Sequence, residues 1–420
     1  MRERLAAWDA PTVVPGDGAT LADMARSRIP RTLMTTAVVG GALILTTAAT
    51  AAFAMARVAR LVITPVRRRP QNQTIRAVDR AAGTVTFRET PDSTVPGRYG
   101  VWFAGDTGYA TVGGVIAREG GSVTRTLEKV DFGDLRPGRG RITGYYYLKP
   151  SELGLPVTSA SIPTQLGDAP AWVFPPDADR DTGGWVIQVH GWGATRQEGL
   201  RAVRVFHDQG YTSLLASYRN DGDAPPSADR RYGLGGTEWH DIDAAIHYAG
   251  AHGARSIVLM GWSMGGAVVL QTLTRSSALE RVRGVILESP VIDWIDTLEF
   301  QARLIRLPEP VTRGALRIME ATWSGPITGQ GAPIDLTSMN FVARAADLSL
   351  PTLILHSDDD GFVPSTASRA LAEARSDIVT LVPFATALHT KLWNYDEERW
   401  KTSIADWLAE HIPLEPPESR

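Results

Sequence analysis

Ser263 sits in the run Gly261-Trp262-Ser263-Met264-Gly265-Gly266, directly after the apolar stretch Ser256–Met260 and at the start of a helix-like segment. A serine on a sharp strand-to-helix turn projects its hydroxyl over the edge of a sheet, and flanking glycines permit the close backbone approach such a corner needs. Glycine accounts for 40 of the 420 residues, so a bare G-x-S-x-G arises by chance about 0.2 times and means little alone. Its surroundings carry the inference. A serine hydroxyl is a poor nucleophile near neutral pH and needs a base within hydrogen-bond reach. A histidine base needs a carboxylate to hold it in one tautomer. The chain supplies both downstream: the triplet Asp358-Asp359-Asp360 after one apolar run, and His389 after another. The order Ser, Asp, His is the one expected for an elbow on an α/β sheet.

Each of these residues has a plainer reading. Ser263 could start a helix, the three acids could form a solvated turn or a casual cation site, and His389 could lie on the surface. The elbow context and the order of the partners favour catalysis. The histidines at 207, 240, 247, 252 and 411 fall in helix-like or terminal segments and read as structural, and His356 reads as a packed strand-end residue. No H-E-x-x-H or comparable ligand spacing occurs, so neither a metal nor another cofactor is expected. Tyr218-Arg219-Asn220-Asp221 reads as a loop brace rather than a pocket wall, and Glu238 and Asp241 as acids at a helix start.

Positioning such residues requires a sheet and its helices. From about residue 171, short apolar runs alternate with helical patterns. The strands are Trp185–Val189, Thr212–Ala216, Ser256–Met260, Gly284–Leu287, Pro351–Leu355 and Ile378–Val382; the helices include Thr237–Ala249, Ser365–Ala374 and Glu397–Leu408. Continuous apolar strands between helices mean a mostly parallel sheet covered on both faces. Some 60 residues separate Leu287 from Pro351, too many for a plain connection. Val291–Ala346 is expected to form a helical lid over Ser263, using Trp294, Phe300, Leu304, Leu316 and Met319; an insertion packed away from the site is the alternative. Residues 70–170 form a β-rich section, with Gly83–Glu89, Tyr99–Phe103 and Tyr109–Ile116 rich in β-branched and aromatic residues.

Residues 171–420 resemble the α/β-hydrolase superfamily. Within it, GWSMGG, the YRND at 218–221, the TEW at 237–239 and the late H-T-x-x-W-N resemble bacterial membrane-associated serine hydrolases. The resemblance implies that Ser263 is the nucleophile and His389 the general base. It selects Asp360 as the acid, four residues before Pro364 in a D-x-x-V-P ending, with Asp359 as the alternative because Ser357 and two extra aspartates depart from the commoner H-G-x-x-D. His190-Gly191-Trp192-Gly193 matches the loop that supplies one oxyanion amide, from Trp192, and Met264 would supply the other. The implied reaction is cleavage of a carboxylic ester of a small or lipid-like acyl substrate through an acyl-enzyme. A serine aminopeptidase-like peptidase or a thioesterase would use the same residues, and a non-catalytic binding module would keep only the fold.

Composition narrows the remainder. With 43 % hydrophobic and 21 % charged residues and a net charge of −3, the chain is globular and offers no electrostatic case for nucleic acid. It holds no cysteine, which excludes disulfides, thiolate metal sites and a cysteine nucleophile. Residues 1–69 carry ten Arg and four acids. Within them, after a tail of residues 1–32, residues 33–56 form an uncharged run of 24, long enough as a helix for a hydrocarbon core of about 30 Å. A single-pass membrane anchor over 33–56, followed by a basic linker at 57–69, is the expectation; a cleaved secretory signal ending at Ala54-Met55-Ala56 and a buried helix are the rivals. Three Arg within about 20 residues before the run and six after it lean towards a cytoplasmic hydrolase domain.

Overall fold

The computed structural model describes residues 38–65 and 69–413, with side chains from residue 50 onward. Two sheets organise it. The first is a closed antiparallel barrel of six strands: β1 (Gln73–Asp79), β2 (Thr84–Arg88), β3 (Tyr99–Phe103), β4 (Gly108–Glu119), β5 (Ser122–Phe132) and β6 (Gly138–Thr143). Their order is β1-β2-β5-β4-β3-β6, and β1 closes the ring by pairing with β6. Alternating residues such as Val85 and Phe87 turn inward to join Ile75, Tyr99, Val101, Phe103, Val112 and Ile142 in a small core.

The second sheet has eight strands in the order β14-β13-β12-β11-β9-β10-β8-β7. Six are parallel: β9 (Gly184–Val189), β10 (Tyr211–Ala216), β11 (Ser256–Trp262), β12 (Val282–Glu288), β13 (Thr352–Ser357) and β14 (Val379–Phe384). Consecutive residues of one strand enter different cores. Ile187 and Leu259 pack on one face, while Val186 and Val258 pack on the other. Both faces are thus covered, as the unbroken apolar runs require. The remaining strands, β7 (Thr158–Thr164) and β8 (Gly167–Phe174), form an antiparallel hairpin on β10. The large sheet therefore starts at Thr158, earlier than the boundary of 171 drawn from the sequence, because this hairpin alternates like the β-rich section before it.

The expected lid segment contains two long helices, Trp294–Leu304 and Glu309–Glu320, and a short one, Gly325–Thr328. Trp294, Leu316 and Met319 are buried in the same core as the helix that follows Ser263, whereas Leu304 is exposed.

The N-terminal run departs from expectation. Among the described residues no helix is long and apolar enough to cross a membrane. Residues 33–37 of the expected span, like the tail before them, lie outside the described residues. The rest belongs to a helix, α1 (Val38–Ile63), that continues seven residues past the expected end and takes in Arg57 and Arg60. Its last turns are docked on the protein: Ala59 and Ile63 are fully buried, and Met55, Ala56, Val58 and Val62 pack against the main core. The helix Glu309–Glu320 packs against α1, and Gly314 leaves room there for Met55. An apolar stretch records the need for burial, and another protein face meets that need as well as a bilayer does.

Candidate active site

The corner after β11 places Ser263. Its φ of 51° and ψ of −118° lie in a region that L-residues rarely adopt, and the surrounding backbone fixes it there. Ser263 N donates to Glu288 O at 3.0 Å, while Ser263 O accepts from Gly266 N at 2.9 Å and Val291 N at 3.1 Å. The two motif glycines are explained by contact. A Cβ on Gly261 would stand 2.5 Å from Gly265 O, and one on Gly265 would stand 2.1 Å from Val189 O. The Ser263 side chain does not cap the helix Met264–Arg275, which leaves the hydroxyl available.

That hydroxyl meets His389. His389 Nε2 is 2.9 Å from Ser263 Oγ, and His389 Nδ1 is 2.7 Å from Asp360 Oδ2. Asp360 is buried, and its second oxygen accepts from the amides of Phe362 at 2.8 Å and Val363 at 2.9 Å. Burial alone would push this carboxyl up. The facing His389, together with hydrogen bonds from His356 and His389, outweighs that and holds it well below the usual carboxylate range. Asp359 is exposed, and Asp358 is engaged by Arg369 and Ser365. Of the three acids only Asp360 reaches the histidine.

The loop His190–Gly193 passes beside the nucleophile, since a Cβ on Gly191 would lie 3.1 Å from Ser263 Cβ. Trp192 and Met264, the two expected oxyanion amides, thus belong to segments that flank Ser263. The loop is held from several sides. Gly191 N donates to Glu198 Oε2 at 2.7 Å, Trp192 Nε1 to Val62 O at 3.0 Å, and Arg69 to Gly193 O at 2.5 Å. Asp221 accepts from His190 Nε2 at 3.1 Å, and the Tyr218 hydroxyl donates to the carbonyls of His190 and Gly191. YRND is therefore a brace, as expected.

Several residues of the site escaped the sequence reading. His356 is a buried strand-end residue, but its Nε2 also lies 3.4 Å from Asp360 Oδ2. Asp241 lies in the first turn of the helix Trp239–Ala251, as expected, and also forms a buried two-point pair with Arg219, both contacts at 2.8 Å. Glu238 turns its carboxylate to the amides of Gly233 and Gly235. Glu288 is fully buried beneath the elbow, where the indoles of Trp262 and Trp400 both donate to it at 2.9 Å. Burial pushes its carboxyl up against the opposing pull of Arg201 and the two indoles. Only a residue-type oddity, an acid ending an apolar strand, could have flagged it. Among the described residues no group of three or more His, Asp or Glu could hold a metal ion.

Residues 74–143, nearly the whole barrel, match a domain of unknown function (DUF8805). No curated protein sequence matches the chain. Among solved structures the chain is similar to the esterase Pf2001 of Pyrococcus furiosus, at 17 % identity and a TM-score of 0.49, covering 63 % of this chain and 95 % of that one. It is also similar to a Xanthomonas campestris serine hydrolase without a lid, at 17 % identity and a TM-score of 0.43, covering 62 % and 97 %. For the esterase RhEst1 of Rhodococcus sp. ECU1013 the values are 16 %, 0.42, 60 % and 99 %. Residues 186–399, which carry the Ser263 elbow, the Asp360 loop and the His389 loop, match the alpha/beta hydrolase family, and the chain belongs to that family.

Proposed function

We propose that the protein is a serine hydrolase that cleaves a carboxylic ester through an acyl-enzyme. The observation that carries the reading is the continuous line Ser263 Oγ–His389–Asp360, with contacts of 2.9 and 2.7 Å. In this reading Ser263 Oγ attacks the ester carbonyl as its proton passes to His389 Nε2. Asp360 keeps the Nδ1 proton in place and stabilises the imidazolium that forms. The amides of Trp192 and Met264 stabilise the tetrahedral oxyanion, each contributing a factor of about 10²–10³. The imidazolium then protonates the leaving alcohol, and water attacks the acyl-serine with His389 again as base.

The test is covalent labelling of the purified chain with a fluorophosphonate, alongside hydrolysis of p-nitrophenyl esters of graded chain length. Labelling at Ser263, with turnover lost in parallel, is the expected result. No labelling at any pH between about 6 and 9 would sink the proposal.

A further inference from the structure

We propose that the β-barrel of residues 73–143 is a clamp that positions the loop carrying His389. This rests on the reading of His389 as the general base. The loop runs from the end of β14 at Phe384 to the helix Glu397–His411, and only the short turn Leu392–Tyr395 interrupts it. His389 itself touches Ser263, Asp360 and the ring of Phe362, 4.9 Å away. Its neighbours along the chain are held by the barrel.

Lys391 is ion-paired with Asp92, a residue 299 positions earlier. Arg98 N donates to Asn394 O at 3.0 Å, and Asn394 Nδ2 donates back to Arg98 O at 2.8 Å. The Arg98 guanidinium pairs with Glu397 and lies 4.8 Å over the ring of Trp393. Leu388 and Tyr395 pack against the barrel core. Contact is close enough that a Cβ on Gly97, which has a φ of +104°, would stand 1.9 Å from Asn394 O.

The barrel segment that makes these contacts is itself pinned. Arg125 is fully buried, and its guanidinium donates to the carbonyls of Ser93, Val95 and Gly97 at 3.0, 2.8 and 2.6 Å, and to Gly113 at 2.8 Å. A buried cation satisfied this way resists movement of all the carbonyls it holds, because releasing any one leaves charge unsolvated. On the far side of the loop Arg201 donates to Thr390 O at 2.7 Å and to Asn394 Oδ1 at 2.9 Å. Thr390, next to the histidine, has a φ of +49°, a conformation that needs such support. A general base misplaced by about 1 Å loses on the order of 10²-fold in rate, so a long irregular loop gains much from a rigid partner.

The experiment uses the full-length protein with Asp92→Ala, Lys391→Ala and the exchanged pair Asp92→Lys/Lys391→Asp. Arg80→Ala, which breaks an exposed barrel pair with Asp134, is the control. Three quantities are measured: kcat and KM on p-nitrophenyl butyrate, the rate of fluorophosphonate inactivation per labelled site, and the far-downfield proton resonance of the His389 Nδ1–H bonded to Asp360. Both single variants are expected to lower kcat and the inactivation rate about 5–30-fold, with KM within about twofold, and to broaden the downfield resonance. The exchanged pair is expected to restore most of each loss, and Arg80→Ala to change none of them. Wild-type rates and resonance in both single variants would overturn the clamp. So would losses matched by a fall in labelled protein and not recovered by the exchange. If the wild type neither labels nor turns over, the hydrolase reading fails instead, while the resonance still reports whether the barrel holds the loop.

Discussion

Asp360 gives one oxygen to His389 Nδ1 at 2.7 Å and the other to the amides of Phe362 and Val363. The carboxylate is thereby fixed in orientation as well as in place. Asp360→Asn should keep the fold and cut kcat by about 10⁴, because an amide can present its N–H to the histidine and favour the wrong tautomer. Asp359→Asn, at an exposed position, should change kcat by less than about threefold. Steady-state kinetics on one ester separate the two; a larger loss at position 359 would reverse the acid assignment.

Ser263→Ala and His389→Ala should each remove nearly all turnover above the residual set by oxyanion binding. The double variant should be only slightly worse than either, because the two groups act as one unit. Multiplying losses, measured by the same assay, would mean that the 2.9 Å contact between them is incidental.

Glu288 predicts a pH effect on stability. Its carboxyl is raised by burial, so the folded state binds the proton more tightly than the unfolded chain does. Stability then falls as pH rises from the ordinary glutamate value of about 4.3 towards the raised one. Glu288→Gln abolishes that slope. The stability difference between variant and wild type should move in the variant's favour across this window and level off above it. Denaturant titrations at several pH values provide the check, and a pH-independent difference would count against the assignment.

The indole of Trp192 donates to Val62 O, which ties the His190–Gly193 loop to the end of α1. Trp192→Phe keeps an aromatic ring, though a smaller one, and removes the donor. It should lower kcat about 3–10-fold at nearly constant KM, a fraction of the cost of losing an oxyanion amide outright. A change confined to KM would place the indole in substrate binding instead.

Trp294 and Met319 test the lid. Both are buried, and the Trp294 indole donates to Leu234 O at 2.8 Å. Truncating either to Ala should cost about 2–5 kcal/mol and also shift the preferred acyl-chain length. If the whole chain-length profile merely scales down with stability, the segment has no part in specificity.

The legible parts of this molecule were those with local signatures. The elbow announced itself by glycines whose missing Cβ atoms make room for backbone, and the alternating strands and helices by continuous apolar runs. The resemblance selected Asp360 by its distance from Pro364, and the fold places its carboxylate 2.7 Å from His389 Nδ1. What stayed hidden depended on residues far apart in the chain. Nothing in the spacing of Arg125 showed that three carbonyls from residues 93–97 would enclose it. Arg201, which reaches the histidine loop across 189 positions, looked like one basic residue among many. The apolar run at 33–56 meets a different limit: hydropathy reports that a surface avoids water, and it is silent on what covers it.

The ion pair between Asp92 and Lys391 also bears on how the enzyme is made. A ribosome delivers the barrel first, then the elbow, then the acid, and the histidine 29 residues after the acid. An unfinished chain can therefore carry a folded barrel and a nearly complete sheet while lacking the one loop the barrel is shaped to receive. Domains tend to fold in the order they emerge, so the docking surface stands ready before its occupant exists. Ser263 is therefore made and held on its corner before His389, its partner at 2.9 Å, has joined the chain.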